Sequence, residues 1–199
     1  MKPRVAILIS GKGTNMLALL RCFAEGTLPG EVALVATDNP DAPGLMKAAE
    51  FGVKTFAFPY RSMGREAFEE ALRACLTAHE VDWVLLAGFM KILTPEFVSA
   101  YSGRIVNIHP SLLPAFPGLD AIGQAWRYGV KITGVTVHLV DDQVDHGKIL
   151  AQRALRIREG ETLESLEARI HEVEHRLYWR TLRDLFKKKI SSSERRSGA

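Results

Sequence analysis

The chain has 199 residues, 47% of them apolar and 25% charged, the make-up of a soluble globular protein that buries a full core without disulfide or metal support. Its formal charge of +3 sits beside basic clusters at 187–189 and 195–196, so the body is near neutral and a global field that gathers nucleic acid is not expected. No segment reads as a signal peptide, no apolar run reaches membrane-spanning length, and Cys22 and Cys75 lack metal-ligand or CxxC spacing; a reducing cytoplasm and no membrane partner are expected.

Residues 4–9, Arg-Val-Ala-Ile-Leu-Ile, form a β-branched apolar run and predict a buried strand. The glycine-rich segment 10–15 breaks it, and a helix follows over 16–25. A second strand over 31–37 leads through a Pro- and Asp-rich loop to a helix ending at Gly52. A third strand covers 54–58. Phe68, Ala71, Leu72 and Cys75 recur at helical spacing and predict a helix over 65–79. A fourth strand spans 82–87, a short helix 95–101, and a fifth strand 104–108. This alternation predicts an α/β fold, a doubly wound, mostly parallel sheet with helices on both faces.

The second half changes character. Residues 131–140 and 148–157 read as two long strands joined only by a loop, hence an antiparallel pair. Leu163, Leu166, Ile170, Val173 and Leu177 then mark an amphipathic closing helix over 162–186. Residues 1–186 read as one domain and 187–199 as a charged, Ser-rich, disordered tail.

The chemistry concentrates at 107–109, Asn-Ile-His. Two side chains two residues apart on a strand point to one side, so Asn107 and His109 converge. An amide and an imidazole aimed at one point polarise a carbonyl, hold an oxyanion and move a proton. His109 precedes Pro110, which holds it extended. A bare strand-end turn is the competing reading. Asp145, in the polar loop 140–147, is a candidate third member that would fix the tautomer of His109. Asp-x-Gly is also ordinary turn chemistry. His138, His146 and Asp145 have no helical His pair of the zinc-hydrolase kind, so no metal is expected.

The loop Ser10-Gly-Lys-Gly-Thr-Asn15 leaves the first strand where such folds bind ligands. Its glycines and the following helix N-terminus suit a phosphate. It is neither a Walker sequence nor GxGxxG, and a plain turn with Thr14 or Asn15 as N-cap is the alternative. Residues 87–95, Ala-Gly-Phe-Met-Lys-Ile-Leu-Thr-Pro, leave the fourth strand at the same edge. They either wall a slot for a flat aromatic ligand or cap the core. On the closing helix, His171 and Glu174 share one side.

These motifs, in this order, resemble the phosphoribosylglycinamide formyltransferase family over about residues 5–178. The family's phosphate loop resembles Ser10 to Asn15, its folate segment Ala87 to Leu93, and its second catalytic segment Val140 to Gly147. The long segment Asn107 to Gly118, Asn-Ile-His-Pro-Ser-Leu-Leu-Pro-Ala-Phe-Pro-Gly, is the most specific match. The resemblance implies a formyltransferase-like Rossmann variant. It implies that 10-formyltetrahydrofolate donates a formyl group to the amine of glycinamide ribonucleotide, in purine biosynthesis, without a metal. Asn107, His109 and Asp145 take the catalytic positions. Gly13, Thr14 and Asn15 match the acceptor-phosphate segment, and Glu174 a carboxylate on the ribose hydroxyls. Arg65, Met90, Lys91, Ile92, Leu93 and Asn107 match folate contacts. Lys91 stands where many members have Arg, His171 where Lys or Gln is common, and Lys148 where Pro is common, which predicts a looser catalytic loop.

The partners expected are therefore two small molecules, with no nucleic acid and no membrane, and the chain a monomer or homodimer. Formyltetrahydrofolate hydrolases use a related Asn, His and Asp set behind an extra regulatory domain. Here Met1 leads straight into the first strand, so that domain is expected to be absent. Methionyl-tRNA formyltransferases carry an added C-terminal barrel, for which the chain is expected to be too short. A non-catalytic nucleotide module would need none of the three matched residues.

Overall fold

The structure is a computed structural model that describes residues 2–197, with side chains through 190. Seven strands form one sheet: β1 (Arg4–Ile9), β2 (Glu31–Thr37), β3 (Thr55–Ala57), β4 (Trp83–Leu86), β5 (Ile105–His109), β6 (Ile132–Leu139) and β7 (Ile149–Arg156). Their order is β3-β2-β1-β4-β5-β6-β7. The first five are parallel, and β6 and β7 add antiparallel, as the pattern predicts.

The helices are α1 (Thr14–Ala24), α2 (Pro43–Glu50), α3 (Tyr60–Met63), α4 (Arg65–Ala78), α5 (Pro95–Ala100), α6 (Ala121–Tyr128) and α7 (Leu163–Ser197). Side chains alternate along each central strand, so the sheet is buried on both faces. Val5, Ile7, Ile9, Leu85 and Val106 face one layer, with Met16 and Leu19 of α1 and Leu166, Ile170, Tyr178 and Phe186 of α7. Ala6, Leu8, Val84, Leu86 and Ile105 face the other, against Phe68 and Leu72 of α4 and Phe97 of α5.

Three elements depart from expectation. The four-residue α3 and the α6 helix were not foreseen. α6 opens on Asp120 in the left-handed region with no side-chain cap and contains Gly123, so it carries neither a start signal nor a clean apolar stripe. The closing helix does not stop at Phe186. Instead of a disordered tail, helix continues from 187 through Ser197. No glycine or proline interrupts 187–197, and its lysines and arginines propagate helix readily. Residues 198–199 of that segment lie outside the described residues.

The parallel order reverses between β1 and β4, since β1 leads outward to β2 and β4 outward to β5. Ligands of open α/β sheets bind beyond the carboxyl ends of strands at such a reversal. Among the described residues no helix is long and apolar enough to cross a membrane.

Candidate active site

A cleft of about 690 Å³ opens at that edge. It is lined by the loops after β1 and β4, the end of β5, residues 118–122, the β6–β7 connection and one side of α7.

Asn107 and His109 sit on β5, and the antiparallel register sets Asn107 directly opposite His138 of β6. His138 is buried, and its Nδ1 donates to the carbonyl of Leu139 at 2.9 Å. Its Nε2 therefore keeps a lone pair and accepts from Asn107 Nδ2 at 3.2 Å. The same amide lies 3.5 Å from Asp145 Oδ1. The buried ring of His109 turns Nδ1 to Asp145 Oδ2 at 3.3 Å and donates from Nε2 to the carbonyl of Phe116 at 2.9 Å. Asn107 and His109 thus meet Asp145, which comes much later in the sequence. His138 completes the group. The sequence offers it only as a metal ligand, since its position opposite Asn107 is set by the β5–β6 register, which leaves no local signal.

Asp145 is fixed from several sides. Oδ2 accepts from the Gly118 N–H at 2.8 Å. Burial pushes its carboxyl up, but the neighbouring His138, the hydrogen bond from Gly118 and the nearby His109 outweigh that and hold it below the usual carboxylate value. Asp145 and Phe116 have φ of 52° and 54°, rare for residues other than glycine, so both groups that hold His109 stand on strained backbone. At Lys148 the loop is tied through its backbone. Leu139 N–H donates to the Lys148 carbonyl at 2.9 Å, Asp141 accepts from His146 at 2.9 Å and from Gln143 N–H at 3.0 Å, and a Cβ at Gly147 would collide with the Leu139 carbonyl. Backbone ties close this loop where a proline would otherwise stiffen it.

On one side of this cluster lies the glycine loop. Gly13, with φ 68° in the left-handed region, is the N-cap of α1, and no side chain caps the helix. Neither Thr14 nor Asn15 takes that role. The first-turn N–H groups therefore point toward the cleft without a side-chain partner, as an anion site requires. Asn15 instead donates to Glu174 Oε2 at 3.1 Å. His171 Nδ1 bonds the same oxygen at 2.7 Å, in place of the lysine or glutamine contact the sequence left open.

On the other side lies the segment after β4. Each residue is tied differently. Met90 N–H donates to Ser10 Oγ at 2.8 Å, and Lys91 Nζ lies 3.6 Å from Asp38 and 4.7 Å above the Tyr60 ring. Arg65 donates to the Ile92 carbonyl at 3.1 Å, and Thr94 N–H donates to Glu69 at 2.8 Å. Met90 and Ile92 expose their side chains, whereas Leu93 is buried in the core beneath. Of the expected site residues Arg65 alone is not part of the cleft wall; it braces that wall from behind.

Residues 3–182 match the formyl transferase family. The chain is similar to a phosphoribosylglycinamide formyltransferase of Bacillus subtilis, with 44% identity over 183 residues, 92% of this chain and 94% of that one. It superposes on the crystal structure of glycinamide ribonucleotide transformylase 1 from Geobacillus kaustophilus with a TM-score of 0.91 at 48% identity, covering 94% of this chain and 100% of the other. A formyltetrahydrofolate deformylase from Pseudomonas syringae shares the fold with a TM-score of 0.88 at 27% identity; the match covers 94% of this chain and 62% of that one.

Proposed function

Because the chain belongs to the formyl transferase family, we propose that it transfers the formyl group of 10-formyltetrahydrofolate to the amine of glycinamide ribonucleotide, a step of purine biosynthesis. One observation carries this: a single cleft holds the Asn107–His109–Asp145 cluster together with an uncapped helix N-terminus and a separate loop-walled slot. The first suits a phosphate ester and the second a flat ring. A hydrolase needs only the slot and the cluster.

The acceptor's phosphate lies on the N–H groups of Gly13, Thr14 and Asn15, and its ribose hydroxyls on Glu174. The folate lies along Met90, Lys91, Ile92 and Leu93, with Arg65 holding that segment and Asn107 reaching the formyl end. The acceptor nitrogen attacks the formyl carbon. A C–N bond forms and the carbonyl oxygen becomes an oxyanion. Asn107 Nδ2 and His109 Nε2 donate to it; the His109 N–H leaves the neutral Phe116 carbonyl for a charged acceptor, which binds it more strongly. The C–N10 bond of the folate then breaks. The proton lost by the attacking amine passes to the His109–Asp145 pair, and one returns to N10. The formyl group is never attached to the protein, and no metal enters these steps. Residues 1–186 act as one domain in the cytoplasm, as a monomer or homodimer, with 187–199 outside the catalytic unit.

The test follows donor consumption with and without glycinamide ribonucleotide. Consumption only in its presence is expected. Formate release at an equal rate without it would overturn the transferase reading in favour of hydrolysis.

A further inference from the structure

β1 and β4 are neighbours at the centre of the sheet, and their regular ladder ends with Leu8 opposite Leu86. Beyond it, the chains part toward the two halves of the cleft. Ala87 N–H still donates to the Leu8 carbonyl at 2.9 Å, and past that bond the ties between them pass through one residue. Ser10 N–H donates to the Gly88 carbonyl at 3.1 Å, and Met90 N–H donates to Ser10 Oγ at 2.8 Å. Ser10 begins the loop that carries Gly13 to Asn15. Met90 begins the segment that walls the slot.

Within the slot segment Phe89 stacks on Phe68 and Leu93 is buried, but the residues between and before them are less restrained. Gly88 turns with φ 81° and has no heavy atom within 4 Å of where a Cβ would lie. Met90 and Ile92 are 60% and 59% exposed, so at these two positions polar ties hold the backbone where side-chain burial does not. Arg65 and Glu69 of α4 hold its far end. Ser10 is the tie that belongs to the other ligand's loop.

We propose that Ser10 is a positioning residue that couples the two halves of the cleft, so that a phosphate ester on the glycine loop tightens folate binding and the folate tightens the ester in return. This rests on the substrate reading above. A ligand that orders the glycine loop also orders Ser10, and through it Met90; the second ligand then loses less conformational freedom on binding. The coupling is reciprocal by thermodynamic necessity, and one neutral hydrogen bond sets its size at about five-fold.

The experiment measures binding by calorimetry with tetrahydrofolate, which has no formyl group to transfer, and glycinamide ribonucleotide. In the wild-type protein, saturating ribonucleotide lowers the Kd of tetrahydrofolate about five-fold, and saturating tetrahydrofolate lowers that of the ribonucleotide by the same factor. Ser10→Ala brings the factor close to one. Ser10→Thr keeps the hydroxyl and retains it, and Ser10→Cys, a weaker acceptor, lies between. An undiminished factor in Ser10→Ala or Ser10→Cys, or a factor of one in the wild type with both ligands bound, overturns the coupling and leaves the substrate reading standing. Failure of either ligand to bind the wild type overturns the substrate reading, and the coupling with it.

Discussion

Two imidazoles and an amide share one carboxylate at the centre of the cleft, and each has a distinct duty. His138 keeps its proton on Nδ1 for Leu139 and so orients Asn107, whereas His109 presents Nε2. Removing an oxyanion donor costs turnover on the order of 100-fold or more, so Asn107→Ala and His109→Ala should each lose that much kcat with intact folding by circular dichroism. Near-native turnover in His109→Ala would remove it from the mechanism. A second residue-scale prediction concerns His171. The hydrogen bond to Glu174 raises its pKa above the ordinary 6.5, with burial opposing in part. The pair's stabilisation is thus fully present below about 6.5 and fades as pH rises through the raised folded value. An NMR titration of His171 should give a midpoint above 6.5, and Glu174→Gln should lower it; a midpoint unmoved by that change would refute the pairing. At this scale the sequence was most legible where chemistry is local. Asn107 and His109 share a strand side by simple alternation, whereas the bond from His171 to the Glu174–Asn15 pair depends on how α7 docks on α1.

The glycine loop owes its shape to α2 more than to its own sequence. Gly44 N–H donates to the Gly11 carbonyl at 3.0 Å, and a Cβ on Gly44 would lie 2.6 Å from Ile9 Cδ1 and 2.8 Å from that carbonyl. Gly13 is likewise restricted by its φ and by Gly44 Cα, 3.3 Å from where its Cβ would sit. Backbone conformation and packing against α2 therefore account for glycine at 13, apart from the room the proposed phosphate site needs. Gly44→Ala, which touches no ligand, should raise the acceptor's Kd about ten-fold and leave the folate's nearly unchanged, since overpacking costs about 1–3 kcal/mol. Gly13→Val should do the same more severely. Inorganic phosphate should compete with the acceptor and not with the folate; competition with the folate alone would mean that the loop serves another ligand. Strand and helix identity was largely legible in this region, from alternation and from apolar spacing. The contact between two glycines 31 positions apart was not, because a residue without a side chain leaves no pattern to read.

Across the whole molecule, the doubly wound sheet and its antiparallel extension were legible in the alternation of elements. Strand order and register were not: the facing of Asn107 and His138 arises only when β6 folds back on β5. The closing helix binds the layers together at one buried point. Tyr178 Oη reaches the carbonyls of Leu86, at the end of β4, and Val106, within the adjacent β5, at 3.0 and 2.9 Å. Burial pushes this phenol well above its usual pKa, so it remains a donor. Tyr178→Phe leaves those carbonyls without it and should cost about 1–3 kcal/mol in urea denaturation. The same helix has a consequence for how the protein is made. It is translated after every strand, yet it covers Val5, Ile7, Leu85 and Val106 and supplies Glu174. A nascent chain therefore holds most of its sheet finished with one greasy face covered only in part, by α1 and α6, the state in which chains adhere to one another or to chaperones. The arrival of α7 ends that exposure and delivers in the same event the carboxylate proposed for the ribose, so a chain stalled before Leu163 is both adhesive and without the Glu174 side of its cleft.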